Sequence, residues 1–273
     1  MTAKVALVTG ASSGIGEHTA RALLADGFVV YAVARRLEPM QKLAELGVRT
    51  FSMDVTDDAS MVAGVERIIA EQGRIDVLVN NAGYGYYGAV EDVPIAEARK
   101  QFEVNVFGLA RLSQLVTPRM REQGSGRIIN VSSMGGKFYE PLGGWYHATK
   151  FAVEGLSDCL RLELRPFGID VVLIEPGTIR TEWNAIARQH LRDSSAGTAY
   201  AKRAGSVTRV LALVDRRGLS SGPGVVARKI AKAASTARPR SRYPVGLGAG
   251  SIVRARRLLP DRAMDAIISR VYR

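Results

Sequence analysis

The feature that most constrains this chain is an alternation of short apolar runs with longer segments whose apolar residues recur at helical spacing. Lys4-Val5-Ala6-Leu7-Val8-Thr9 reads as a strand ending at glycines, and Gly14 to Asp26 as a helix. The pattern repeats as strand Phe28 to Ala34, helix Glu38 to Leu46, strand Val48 to Met53, helix Asp57 to Gln72 and strand Asp76 to Asn80. After a loop from Asn81 to Val93, Pro94 suits the first turn of a long helix running towards Arg121. Gly126 to Ser132 is the fifth strand, Trp145 to Arg165 a long helix, Ile169 to Glu175 the sixth strand and Arg242 to Val245 a seventh. This alternation predicts an α/β chain: a single-domain Rossmann fold with a doubly wound parallel sheet in the order 3-2-1-4-5-6-7 and helices on both faces. Residues 1–249 form the expected catalytic domain, with 178–222 a lid or loop beyond the strand ends and 250–273 a basic amphipathic extension.

At 273 residues, 47% of them hydrophobic, the chain can bury a sizeable core. Its single cysteine, Cys159, cannot form an internal disulfide; with Leu156, Leu160, Leu162 and Leu164 around it, a buried thiol in a reducing compartment is expected. No opening signal segment and no apolar run of the roughly 18 to 20 residues that span a bilayer are present, so a cytoplasmic protein is expected. The net charge of +12 is uneven: from Arg238 onward there are nine arginines, no lysine and two aspartates. No nucleic-acid motif accompanies this charge, and nucleic acid is not an expected partner. Asp261 to Arg273 carries Met264, Ile267, Ile268 and Val271 at helical spacing, a basic amphipathic helix that either packs on the protein or makes peripheral contact with an anionic membrane.

Residues 9–16, TGASSGIG, admit two chemistries. As Gly-x-Ser-x-Gly, Gly10 to Gly14 would present Ser12 as the nucleophile of a serine hydrolase, with His18, His147 or His190 as its base. As glycines opening a helix after a strand, they would cradle a dinucleotide pyrophosphate. Two further landmarks decide the reading: Asn80-Asn81-Ala82-Gly83 after the fourth strand, and Tyr146-x-x-x-Lys150, which places phenol and ammonium on one helix face a turn apart. A tyrosine whose proton is controlled by a nearby ammonium can serve a ketone or alcohol oxygen during hydride exchange, if its pKa falls from about 10 towards neutrality.

In this order and context the three motifs resemble the classical short-chain dehydrogenase/reductase family, over about residues 4 to 181. The resemblance implies that Ser133, Tyr146 and Lys150 are catalytic, with Asn105 in a proton relay. It implies a cofactor site made by Gly10, Ser12, Ser13, Gly14, Ile15 and Gly16 at the pyrophosphate, and by Asp54 and Val55 at the adenine. Asn81, Ala82 and Gly83 would lie at the ribose, Tyr146 and Lys150 beside the nicotinamide, and Pro176, Gly177, Thr178, Ile179 and Thr181 at its carboxamide. The second strand ends Val33-Ala34-Arg35-Arg36 without the acid that binds an NAD ribose, so Arg35, supported by Arg36, is expected to pair with the 2′-phosphate of NADP(H).

Aromatic residues around the expected cleft point to a hydrophobic substrate, with Tyr87, Phe138, Tyr139 and Trp183 as contacts and Tyr84, Tyr86 and Trp145 nearby. The stretches NNAGYGYYGAVED and ARRLEPM are similar to a branch that includes 1-acyl-dihydroxyacetone-phosphate reductases, 17β-hydroxysteroid dehydrogenases and retinol dehydrogenases, which implies a lipid, steroid or retinoid ketone. The family resemblance also implies a homo-dimer or homo-tetramer formed through the long helices after the fourth and fifth strands. No metal site is expected. The alternatives are the Ser12 hydrolase and a non-catalytic NADP-sensing protein.

Overall fold

The computed structural model describes residues 3–213 and 218–273. In chain order its elements are β1 Val5–Thr9, α1 Gly14–Ala25, β2 Val29–Ala34, α2 Gln41–Ala44, β3 Arg49–Ser52, α3 Asp58–Gln72, β4 Val77–Asn80, α4 Ile95–Phe102, α5 Gly108–Glu122, β5 Gly126–Val131, α6 Gly144–Leu164 and β6 Ile169–Pro176. Then come α7 Glu182–Ser195, α8 Ala201–Leu213, α9 Pro223–Ser235, β7 Arg242–Val245, α10 Ala249–Leu258 and α11 Asp261–Val271. The seven strands form one parallel sheet in the order β3-β2-β1-β4-β5-β6-β7, as the alternation predicts.

Every residue of β1 is buried, because the strand is central and covered on both sides. Its side chains alternate: Ala6 and Val8 enter a core shared with α1 and α9, while Val5 and Leu7 enter a second core shared with α3 and α5. Local chemistry sets the ends. The Asp57 side chain caps α3 by accepting the Ala59 N–H, and Gly73 closes the helix in the left-handed conformation, φ 67°. A buried polar ladder fixes β4 to β5 and to the long helices. Asn80 Nδ2 donates to Asn130 Oδ1 at 3.0 Å, and Asn130 Nδ2 donates to Ser157 Oγ at 2.9 Å.

A third apolar cluster lies beyond the strand ends, where Tyr87, Phe138 and Tyr146 meet Leu191 of α7, Leu211 of α8 and Met264 and Ile268 of α11. The segment 178–222 thus contributes two helices to a roof over the sheet. The C-terminal helix packs on the domain, the first of its two expected fates, with Met264, Ile268 and Tyr272 buried. Among the described residues no helix is long and apolar enough to cross a membrane.

Three expectations are corrected. Glu38 to Leu46 is a 3₁₀ turn followed by the single turn of α2. The helix expected from Pro94 to Arg121 is broken by a π turn, Glu103–Phe107, between α4 and α5. Cys159 is exposed, because α6 buries the stripe containing Tyr146, Lys150, Val153 and Ser157, and Cys159 projects off that stripe.

Candidate active site at the strand ends

A cleft of about 1130 Å³ runs along the carboxyl ends of the strands and under the roof. This is where an open α/β sheet binds its ligands. At one end the wall is the turn between β1 and α1. Gly10 adopts φ +63°, and a Cβ there would lie 2.8 Å from Ala82 Cα; a Cβ on Gly16 would lie 2.3 Å from Gly10 O. Only glycine fits either place. Asn81 Nδ2 donates to Thr9 O and Gly10 O at 3.0 and 3.2 Å, while Thr9 Oγ1 accepts the N–H groups of Asn81 and Ala82, both at 3.0 Å. The two turns, 9–16 and 80–83, are therefore stitched together by Thr9, a role the sequence did not reveal.

Ser13 stands at the N-cap of α1 with its side chain not used as a cap. The first turn of the helix, with its partial positive charge, is left to an anion in the cleft. Ser12, Ser13, Gly14 and Ile15 line this end, and Arg35, Arg36, Asp54 and Val55 line the wall next to it. Asn81, Ala82, Gly83, Pro176, Gly177, Thr178, Ile179 and Thr181 complete the same cavity. A glycine cradle, an uncapped helix start and two arginines on the adjoining wall fit a dinucleotide phosphate. Gly16 does its work by close packing behind the turn.

At the middle of the cleft α6 delivers Tyr146 and Lys150. Tyr146 is hydrogen-bonded to Ser133, whose Oγ also accepts the Gly135 N–H at 3.0 Å. Lys150 Nζ donates to Val131 O at 3.0 Å and sits 6.0 Å from the Tyr146 ring centroid. Asn105, carried by the π turn, accepts the Tyr84 N–H at 3.0 Å and donates to Tyr84 O and to Thr149 Oγ1. It faces Lys150 across Gly83, where a Cβ would lie 3.1 Å from Asn105 Oδ1 and 3.7 Å from Lys150 Nζ. Ser132, the neighbour of Ser133 at the end of β5, is buried with no partner for its hydroxyl.

The electrostatics differ from expectation. Burial pushes the Tyr146 phenol up to about 12, with the Ser133 hydrogen bond opposing the shift and the field of Glu140 adding to it. Burial likewise brings Lys150 down to about 8, with Glu154 opposing. The tyrosine therefore keeps its proton at neutral pH. A protonated phenol can donate a hydrogen bond into the cleft.

Beyond Tyr146 the wall becomes apolar and aromatic. Tyr87, Phe138 and Trp183 line it as expected, together with residues of α8, α10 and α11. Tyr139 does not: its hydroxyl donates to Asp265 Oδ1 at 2.7 Å and Arg256 covers its ring, so it docks the tail from outside. Tyr86 stacks on His190 and Trp145 packs edge-on against Phe102, both away from the lining. Sequence reasoning missed Glu140, which accepts from Tyr87 Oη at 2.6 Å and from Tyr272 Oη; His147, a candidate base in the hydrolase reading, instead holds the loop before α6 through Gly135 O and the Glu140 N–H. None of the three histidines is hydrogen-bonded to Ser12 among the described contacts; His18 is engaged with Gly14 O and His190 with Tyr86.

Comparison with known proteins agrees with this geometry. The short chain dehydrogenase family model matches residues 4–192. The chain is 45% identical over 181 residues to 3-ketodihydrosphingosine reductase of Bacteroides thetaiotaomicron, covering 66% of each chain. It is 36% identical over 276 residues to the NADPH-dependent 3-dehydrocapnine reductase of Ornithobacterium rhinotracheale, covering 97% of this chain and 95% of that one. A short-chain dehydrogenase structure from Streptomyces avermitilis superimposes with a TM-score of 0.82 at 37% identity, covering 99% of this chain and 97% of that one. Other similar structures hold NADP in one case and NAD in another. With its seven-stranded parallel sheet and with Ser133, Tyr146 and Lys150 gathered beside a glycine cradle, the chain belongs to the short-chain dehydrogenase family of oxidoreductases.

Proposed function

We propose that the protein is a cytoplasmic NADP(H)-dependent reductase of hydrophobic ketones, with Tyr146 as the proton donor to the substrate oxygen. The observation that carries this reading is the convergence of Ser133, Tyr146 and Lys150 where the glycine-walled end of the cleft meets its apolar end. The glycine turn would hold the pyrophosphate and Arg35, with Arg36, the 2′-phosphate; Asp54 and Val55 would face the adenine, Asn81, Ala82 and Gly83 the ribose, and residues 176–181 the carboxamide. When bound, NADPH supplies the hydride. Ser133 and Tyr146 hydroxyls donate to the ketone oxygen, and the Tyr146 Oη proton moves to that oxygen as it gains charge. An ammonium proton of Lys150 would then reprotonate Tyr146 and solvent would reprotonate Lys150, with Asn105 fixing the loop beside it.

Support for a lipid-like ketone comes from the apolar wall formed by Phe138, Trp183, Leu211 and Ile268, and from the similarity to a 3-ketodihydrosphingosine reductase. The test follows NADPH absorbance with long-chain ketones, steroid ketones and retinal. Wild type should turn over at least one of these, and Tyr146→Phe should lose about 10²- to 10⁴-fold in kcat. Turnover that survives the substitution contradicts the mechanism, and a silent wild type that still binds NADP(H) favours a sensing protein.

Two contacts of the whole molecule belong to the same proposal. Phe107, Phe151 and Leu162 are exposed along the long helices, which supports pairing of copies there. Leu258, 81% exposed among Arg254, Arg256, Arg257 and Arg262, supports peripheral contact with an anionic membrane next to the roof. Sedimentation with anionic vesicles should fall for Leu258→Asp; equal binding by both forms rejects this contact.

A further inference from the structure

Lys150 carries a charge into a buried place, and its one described hydrogen bond, from Nζ to Val131 O at 3.0 Å, cancels none of that charge. No carboxylate is paired with it among the described ion pairs. Glu154 follows one turn later, on the stripe of α6 that also buries Tyr146, Lys150, Val153 and Ser157. Its side chain is 4% exposed. Lys137 Nζ stands 2.8 Å and Arg242 Nε 3.2 Å from Oε2, while Oε1 accepts no hydrogen bond. A buried carboxylate with an open edge, one turn from a buried ammonium, has a use for that ammonium.

Both cations come from outside the helix and fix where the carboxylate stands. Lys137 ends the short turn Met134–Gly136 that follows Ser133, and Arg242 opens β7. A Cβ on Gly136 would lie 2.9 Å from Glu154 Cγ, from Lys150 O and from Ser132 Oγ, so the loop presses directly on this turn of α6. Arg242 is shared: its Nη2 reaches Asp158 Oδ2 at 2.6 Å, and its Nε lies 3.4 Å from Glu175 Oε1 on β6. Burial, with the Glu154 charge adding to it, pushes the Glu175 carboxyl up. On the cleft side Tyr146 faces Lys150 with its proton on, Asn105 is a neutral neighbour across Gly83, and His147 is engaged with Gly135 O and the Glu140 N–H. Burial brings Lys150 down to about 8, and the Glu154 charge is what opposes it. We propose that Glu154 is a positioning residue of the reduction: a buried carboxylate, fixed by Lys137 and Arg242, that supplies the counter-charge of the Lys150 ammonium. This rests on the reductase reading and adds to it what keeps a proton on Lys150 between turnovers.

The experiment measures kcat against pH for the NADPH-dependent reduction of dodecan-3-one by wild type, Glu154→Gln, Glu154→Asp and Lys137→Met. In wild type kcat should fall on the alkaline side as Lys150 loses its proton. A carboxylate favours the ammonium, so its removal lets the proton leave at lower pH. Glu154→Gln should move the fall down by about one pH unit, which is about tenfold in kcat at a pH above it. Glu154→Asp keeps the charge and should hold the fall closer to the wild-type pH. Lys137→Met removes a cation from the cluster, so the fall should stay in place or move to higher pH, the opposite sense to Glu154→Gln. Superimposable profiles for wild type and Glu154→Gln overturn the proposal and leave the reductase standing. A downward move in Lys137→Met as large as in Glu154→Gln also overturns it, since loss of packing would then account for both. If Glu154→Gln does not fold, the direction of the move in Lys137→Met decides alone. If wild type reduces no ketone, the reductase reading fails and this one with it.

Discussion

At the cofactor end of the cleft the wall is largely backbone: Gly10 and Gly16 pressed against Ala82 and each other, with Asn81 and Thr9 tying the two turns together. At the substrate end the wall is side chains brought from far apart, as in Tyr272 to Glu140, 132 residues away, and Tyr139 to Asp265, 126 residues away. The first kind of wall tolerates almost no change of residue and leaves a short, readable motif. The second can be rebuilt with many side chains, so it leaves no motif.

The contrast can be broken at either end. Gly10→Val should have the largest effect, because a branched side chain at φ +63° and 2.8 Å from Ala82 Cα must displace the turn. Dinucleotide affinity should fall by at least about tenfold and the melting temperature should drop; a variant with unchanged NADPH affinity would show that the cradle is not where the cofactor binds. At the other end Ile268→Ala opens the roof. It should cost about 2 kcal/mol of stability and raise KM for a long-chain ketone several-fold while leaving KM for NADPH alone. If both KM values move together, the two ends are not independent. The smallest expected change is at the wall they do not share. Arg35 is exposed, so Arg35→Gln should raise KM for NADPH by only about two- to threefold through loss of a solvent-screened pair with the 2′-phosphate, and KM for NADH less. Equal losses with both cofactors would reject Arg35 as the discriminating contact.

The same contrast explains what could be read from the residues alone. The parallel sheet followed from the alternation of periods, and its strand order from the doubly wound fold type that this alternation matches. Tyr146 and Lys150 could be paired because a helix fixes their relative direction within one turn, and the glycines because they mark places where a Cβ has no room. The exposure of Cys159 is not legible in the sequence because flanking leucines do not say which stripe of α6 faces inward; Leu162 is itself exposed. Tyr139 follows Ser133 closely in sequence, but the loop turns it outward to meet α10 and α11, which sequence proximity does not show. The π turn around Asn105 inserts an extra residue into a helix whose apolar period looks continuous, so its shift of register has no compositional mark. Glu140, His147 and Tyr272 become a unit only through folding.

The central claim is that Tyr146 and Ser133 receive a ketone oxygen while hydride arrives from a cofactor held by the glycine turn. Incubation of the wild-type protein with deuterated NADPH, labelled on the transferring face of the nicotinamide, and a long-chain ketone tests it by mass spectrometry of the product. The account predicts a secondary alcohol with one deuterium on the carbinol carbon, formed by wild type and nearly absent with Tyr146→Phe. An alcohol without the label, or equal labelled product from Tyr146→Phe, would contradict it.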